Sequence, residues 1–228
     1  MSASSRRNWL TQLNGWCLHP WSKAVLFVVM LMPLGVLMWA VVFDQLGANP
    51  AQALVRRTGD WTLRTLCLVL AVTPLRVMLQ LTALARWRRM LGLFVYFYAI
   101  LHLLSYGWFD MGFNLADMTH DIAKRPFILV GFTGFVVLSA LALTSSNRAI
   151  RAMGGKSWQR FHRLVYGVAG LALLHFFWMR AGKNDFAQVW IYASIIGLLL
   201  GWRILRYWMW SNKFPSSPFL KRVVSYLF

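Results

Sequence analysis

Twenty consecutive residues, Ala24–Phe43, carry no charged side chain. A helix of about 20 apolar residues crosses the hydrocarbon of a bilayer. Five more apolar runs follow: Trp61–Ala85, Leu91–Phe109, Pro126–Thr144, Trp158–Met179 and Phe186–Trp202. In lipid the backbone must satisfy its own polar groups, so spans are helices or strands of closed barrels, and these runs are too long and too uniformly apolar for barrel strands. The expected fold is therefore an all-α membrane protein, a bundle of six transmembrane helices. Composition agrees: 59% of the 228 residues are hydrophobic and 13% charged, where a soluble domain has about 25% charged. The expected organisation is a basic N-tail at 1–23, a six-helix transmembrane domain at 24–205 and a basic, aromatic C-tail at 206–228. Six spans of about 20 residues leave only loops and tails, with no room for a soluble domain.

Ser5-Arg6-Arg7-Asn8-Trp9-Leu10 resembles a twin-arginine export signal, but sixteen residues separate Arg7 from the apolar run and no A-x-A site follows. The segment reads as a basic tail. Cys17 and Cys67 form no metal or redox pattern and read as structural.

The net charge is +18, from 24 Lys and Arg against six Asp and no Glu. Such a balance can signal nucleic acid, but in a membrane chain it fits cytoplasmic loops held against anionic lipid, so no nucleic-acid partner is expected. With the N-terminus inside, the inner segments hold sixteen Lys and Arg and the outer loops six, while Arg64 and Arg76 lie within span 2. All six acids, Asp44, Asp60, Asp110, Asp117, Asp121 and Asp185, fall in or beside the outer loops. The expected topology places both termini in the cytoplasm. Eleven of the thirteen Trp lie near expected interfaces, as an aromatic belt.

Of five histidines, His19 in the N-tail and His120 in an outer loop read as surface residues. His102 on span 3 and His162 and His175 on span 5 lie within the membrane, where an ionisable side chain is costly and so marks a candidate functional site. A membrane histidine also serves as an interhelical hydrogen-bond partner, and that reading stands beside the functional one. His102 lies seven residues before the end of its span and His175 four before the end of its own, so both are in the outer half. At matching depth on facing helices they can ligate an iron, such as a haem iron, from opposite sides. His162 lies thirteen residues before His175, about 20 Å deeper at 1.5 Å per residue. The matching level on span 3 holds Arg88 and Arg89, not a histidine. Thirteen residues is not a whole number of turns, so either span 5 is locally distorted or its two ligands approach from different sides.

Arg76, in the inner half of span 2 after Thr73-Pro74-Leu75, has no acid nearby in the inner segments. A carboxylate or phosphate of a cofactor would suit it; snorkelling to headgroups is the alternative. No G-x-G-x-x-G after a strand and no Walker loop appears, so electrons carried by this chain must come from a separate donor.

Leu101-His102-Leu103-Leu104-Ser105-Tyr106, Trp158-Gln159-Arg160-Phe161-His162-Arg163-Leu164-Val165-Tyr166, Leu174-His175, Thr73-Pro74-Leu75-Arg76 and the Arg88-Arg89 pair together resemble the ferric-reductase-like transmembrane domain. In particular they resemble the haem-binding membrane subunit of the bacterial methionine-sulfoxide reductase system, the MsrQ (YedZ) family, over roughly residues 10–210. The resemblance implies a multi-pass protein of the bacterial inner membrane with one or two b-type haems. His102, His175 and His162 are the implied iron ligands, with Arg88, Arg89 or Arg76 completing or anchoring the inner site. It further implies electron transfer from quinol or a cytoplasmic flavin reductase to a periplasmic, molybdenum-containing methionine-sulfoxide reductase. FMN is also attributed to the family; no flavin motif is visible here. The wider ferric-reductase family carries two histidines on each of two helices, and this chain lacks the inner one on span 3.

Three readings follow: an electron-conducting subunit, a self-sufficient ferric or quinone reductase of the same architecture, and a transporter whose histidines relay protons.

Overall fold

A computed structural model describes residues 3–182 and 184–213. The expected C-tail therefore lies outside the described residues beyond 213, and the side chains of Arg6, Arg7 and Lys183 are outside them as well. The described chain is helical: α1 (Ala3–Leu18), α2 (Pro20–Val42), α3 (Pro50–Met78), α4 (Arg88–Phe109), α5 (Leu115–Lys124), α6 (Pro126–Leu143), α7 (Asn147–Met153), α8 (Gly155–His162), α9 (Leu164–Ala181) and α10 (Ala187–Lys213), with a 3-10 segment at Thr82–Trp87 before α4. No strand occurs among the described residues. Among the described residues, six helical stretches are long and apolar enough to cross a membrane: α2, α3, the 3-10 segment with α4, α6, α8 with α9, and α10. The protein is a multi-pass membrane protein.

The helix starts are written in the sequence. Pro20, Pro50 and Pro126 each occupy the first turn, where their missing N–H costs nothing. Asn49 accepts from Gln52 N at 3.0 Å and Asn114 from Ala116 N at 3.0 Å, filling donors that helix ends leave open. The Asn49 cap starts α3 eleven residues before the expected Trp61, so Arg56, Arg57 and Asp60 lie on the helix rather than in a loop. The same helix ends at Met78 rather than Ala85, because Gln80 turns left-handed (φ 56°) and the chain tightens into the 3-10 segment. The expected N-tail contains α1, docked on that segment: Asn14 Oδ1 accepts from Ala83 N at 3.2 Å, and Arg86 donates to the Leu18 carbonyl.

α3 is the central element. Half of its most apolar window (50%) is buried within the protein, against 22% for α2. The tightest packing is of α4 along α3, followed by α9 along α6. Leu66 and Leu70 of α3, Val95 and Tyr98 of α4 and Val168 and Ala169 of α9 form the middle of the core. Tyr98, buried there, donates its phenolic proton to the Met30 carbonyl of α2 at 2.6 Å, so its polar end is satisfied.

The fifth span is interrupted at Arg163, between α8 and α9. There the ladder shortens to i−3 bonds, Arg163 N to Arg160 O at 3.3 Å and Tyr166 N to Arg163 O at 2.9 Å. Of the two arrangements the thirteen-residue spacing allowed, the local distortion is present.

Candidate functional site

Each of the two tightest helix pairs carries one membrane histidine, held by the same device. His102 of α4 donates from Nδ1 to the Val55 carbonyl of α3 at 2.9 Å. His175 of α9 donates from Nδ1 to the Phe127 carbonyl of α6 at 2.7 Å. A carbonyl only accepts, so the proton is on Nδ1 and the lone pair is on Nε2 in both rings. Four residues after each acceptor carbonyl stands a glycine, and the ring lies against it. A Cβ added to Gly59 would lie 3.1 Å from His102 Cε1, and one added to Gly131 would lie 2.7 Å from His175 Nδ1. At Gly131 an added Cβ would force the ring to shift, while at Gly59 the contact is tight but closer to what a side chain can accommodate.

The two rings lie near each other in a T-shaped arrangement, with centres 6.2 Å apart and planes inclined by 73°. An imidazole nitrogen binds a first-row metal at about 2 Å and sits roughly 1 Å from its own ring centre, so two imidazoles trans on one metal have centres about 6 Å apart. The structure brings together the two histidines whose depths along their spans agree. Among the described residues no cluster of three His, Cys, Asp or Glu side chains could hold a metal ion. A two-imidazole set suits a metal that brings its other ligands with it, as haem iron does. The donor chemistry, the spacing and the glycine cradles fit that group.

The inner level is built differently. His162 ends α8 and stacks on Trp158, ring centres 4.0 Å apart. Its Nε2 lies 3.2 Å from Thr144 Oγ1. That hydroxyl gives its one proton to the Ala140 carbonyl at 2.7 Å, so it accepts from His162. The ring's lone pair is then on Nδ1, the reverse of the outer pair. Trp158 Nε1 also donates to the Thr144 carbonyl at 2.8 Å. The two residues together clamp the end of α6. Arg88 is near enough for His162 to feel its charge. Arg89 instead donates to Asn147 Oδ1 at 2.8 Å and ties α4 to α7. Arg76 is half-buried, with no hydrogen-bond or ion-pair partner among the described residues.

The deeply buried cation is Arg203 on α10, 3% exposed. It donates from Nη1 to Leu199 O at 2.9 Å and from Nη2 to Leu70 O at 2.6 Å, and its guanidinium lies 5.4 Å from the centre of the Tyr166 ring. Its Nε is buried without a partner. Sequence reasoning counted Arg203 among the charges beyond the last span. The signal that could have found it is Pro74, which leaves a carbonyl open on the neighbouring helix.

Residues 58–173 match the family model described as the ferric reductase like transmembrane component. That segment holds Gly59, His102, Gly131 and His162 and ends two residues before His175. A protein-methionine-sulfoxide reductase heme-binding subunit MsrQ from Polaromonas naphthalenivorans is 64% identical over 209 residues, covering 92% of this chain and 95% of its own length. A protein of the same description from Herminiimonas arsenicoxydans is 50% identical, covering 86% and 88%. One from Xanthomonas campestris is 40% identical, covering 80% and 85%. No solved structure matches the chain.

Proposed function

This chain belongs to the MsrQ family of ferric-reductase-like transmembrane proteins, and on that premise we propose that it is the haem-binding membrane subunit of a methionine-sulfoxide reductase system. The observation that carries the reading is the His102–His175 pair, with ring centres 6.2 Å apart and both Nδ1 atoms committed to backbone carbonyls. A b-type haem held there supplies a one-electron centre inside the bilayer. The protein's own part is to fix both rings. The Val55 and Phe127 carbonyls set the tautomer, Gly59 and Gly131 set the position, and the packed α3–α4 and α6–α9 pairs set the spacing.

With each Nδ1–H spent on a carbonyl, both rings keep an Nε2 lone pair for a metal, as the haem reading requires.

The finer proposal follows the family. The subunit sits in a bacterial inner membrane with both termini cytoplasmic. It takes electrons from quinol or a cytoplasmic flavin reductase and passes them to a periplasmic, molybdenum-containing methionine-sulfoxide reductase. His162, with Arg88, Arg89 or Arg76, forms a second, inner haem site, and FMN is a further cofactor. The interruption at Arg163 supports the inner site, because it frees His162 from the register of His175. The surplus of cations over acids toward the basic end supports an anionic group there.

The test is the reduced-minus-oxidised visible spectrum of the purified protein, wild type and His102→Ala. A b-type spectrum in the wild type that is lost in the variant supports the reading. A protein that stays colourless after haem supplementation overturns it. Oriented vesicles then test direction: membrane quinol or a donor on the cytoplasmic face should reduce the haem, and the acceptor on the opposite face should reoxidise it.

A further inference from the structure

On one face of α3, Leu68, Arg64 and Asp60 follow one another at four-residue steps, and all three line a cleft of about 620 Å³ between α2 and α3. Residues four apart on a helix are neighbours, so the three stand one above another at intervals of about 6 Å. The α2 wall of the cleft is apolar, formed by residues such as Val29, Met32 and Val36, all of them exposed. Leu37 and Ala40 of α2 pack with Ala53 and Leu54 of α3. The charged end of the cleft is therefore the one nearer the α2–α3 loop, and the apolar end runs toward the middle of the spans.

Asp60 singles out the ligand. A carboxylate at membrane depth is costly and calls for a donor. Arg64, Arg180 and Arg56 are near enough for Asp60 to feel their charge, yet among the described residues no cation lies within ion-pair distance of it. Arg180 is paired with Asp185 at 3.0 Å. Arg64 is steadied by donating from Nε to Tyr192 Oη at 3.1 Å and by lying 4.9 Å from the centre of the Trp61 ring. Those contacts leave its Nη groups without a hydrogen-bond partner among the described residues. Arg57, one turn beyond Asp60, lines the same cleft and is exposed.

Read from the middle of the span outward, the α3 wall is apolar at Leu68, cationic at Arg64 and anionic at Asp60. A phospholipid with an ammonium headgroup has the complementary order: acyl chain, phosphate, ammonium. The two carbons of ethanolamine set its charges one helical turn apart or less, which suits neighbouring side chains. Its ammonium brings Asp60 both the opposite charge and N–H donors, a combination that makes the stronger kind of hydrogen bond. The quaternary ammonium of phosphatidylcholine has no N–H. Phosphatidylglycerol satisfies the arginines but offers Asp60 only neutral hydroxyls.

We propose that the α2–α3 cleft is a phosphatidylethanolamine site, with the ammonium donating to the Asp60 carboxylate, the phosphate accepting from Arg64 and one acyl chain running along α2 past Leu68. The site stands apart from the histidine pair and does not depend on the haem reading.

The experiment uses the full-length protein in phosphatidylcholine nanodiscs containing a trace of one of three probes. These are phosphatidylethanolamine, phosphatidylcholine and phosphatidylglycerol, each with the same diazirine-bearing acyl chain. After illumination, labelled peptides are identified by mass spectrometry. The ethanolamine probe is expected to label residues 29–37 or 57–68 at least fivefold more than either other probe, and Asp60→Asn should reduce it to the level of the choline probe. A smaller advantage over the choline probe makes the cleft a place for bulk lipid and overturns the proposal. Glycerol labelling that matches or exceeds ethanolamine labelling makes it an anionic-lipid site and also overturns it. Label confined to other segments does the same, as does an ethanolamine advantage that survives Asp60→Asn. The choline probe keeps the phosphate and the positive charge and removes only the N–H donors, so the wild-type comparison tests the Asp60 contact even where the variant fails to fold.

Discussion

Arg203 of α10 places Nη2 2.6 Å from the carbonyl of Leu70 on α3, the carbonyl that Pro74, four residues on, leaves without its helical donor. A proline inside a helix removes one i→i−4 bond, and an open carbonyl in an apolar core costs free energy unless something donates to it. Arg203 is the donor, and this lets a guanidinium that is 3% exposed sit among apolar side chains.

Arg203→Met should therefore lower stability by about 1–3 kcal/mol, the scale of a buried acceptor left unsatisfied. Pro74→Ala restores an N–H to Leu70, so the same Arg203 substitution should cost less in that background. Thermal unfolding of the detergent-solubilised single and double variants measures the coupling. Equal costs in both backgrounds would show that the two residues act independently.

Loss of either outer histidine should abolish the outer site as a whole. His102→Ala and His175→Ala are each expected to remove the low-spin haem signal, because each removes one of the two imidazoles whose centres lie 6.2 Å apart. Retention of the full signal in either variant would rule out the pair.

The glycines should act through the histidines. Gly131→Ala puts a methyl 2.7 Å from His175 Nδ1 and must displace the ring from the Phe127 carbonyl. Haem affinity should fall about 10–100-fold, the usual cost of losing an outer-shell partner. Gly59→Ala, at 3.1 Å from His102, should cost less and shift the electron paramagnetic resonance pattern more than the affinity. Haem titration and resonance spectra of the two variants give the order.

At the inner level, His162→Ala should leave the outer low-spin signal intact and remove a second haem. If haem stoichiometry and the redox titration are unchanged, His162 serves only to clamp Thr144 together with Trp158.

A reporter fused after Phe228 should be active only in a form that works in the cytoplasm, as the sixteen-to-six Lys and Arg bias requires. Periplasmic activity would invert the topology.

Hydropathy alone determined the number of spans and their helical nature, because a bilayer admits few backbone solutions. The depth of His102 and His175 along their spans was likewise legible, since rise per residue converts position into height. Azimuth and partnership were not. That both rings rest on glycines and both Nδ1 atoms meet carbonyls depends on how α3 packs on α4 and α6 on α9. Side chains that meet across helices leave no periodic trace in either segment. Arg76 and Arg203 show the same divide: by sequence Arg76 sits inside a span and Arg203 at the edge of one, yet Arg203 is the buried cation. A proline's orphaned carbonyl selects its donor from the neighbouring helix by proximity, and only the tertiary structure decides which residue that is.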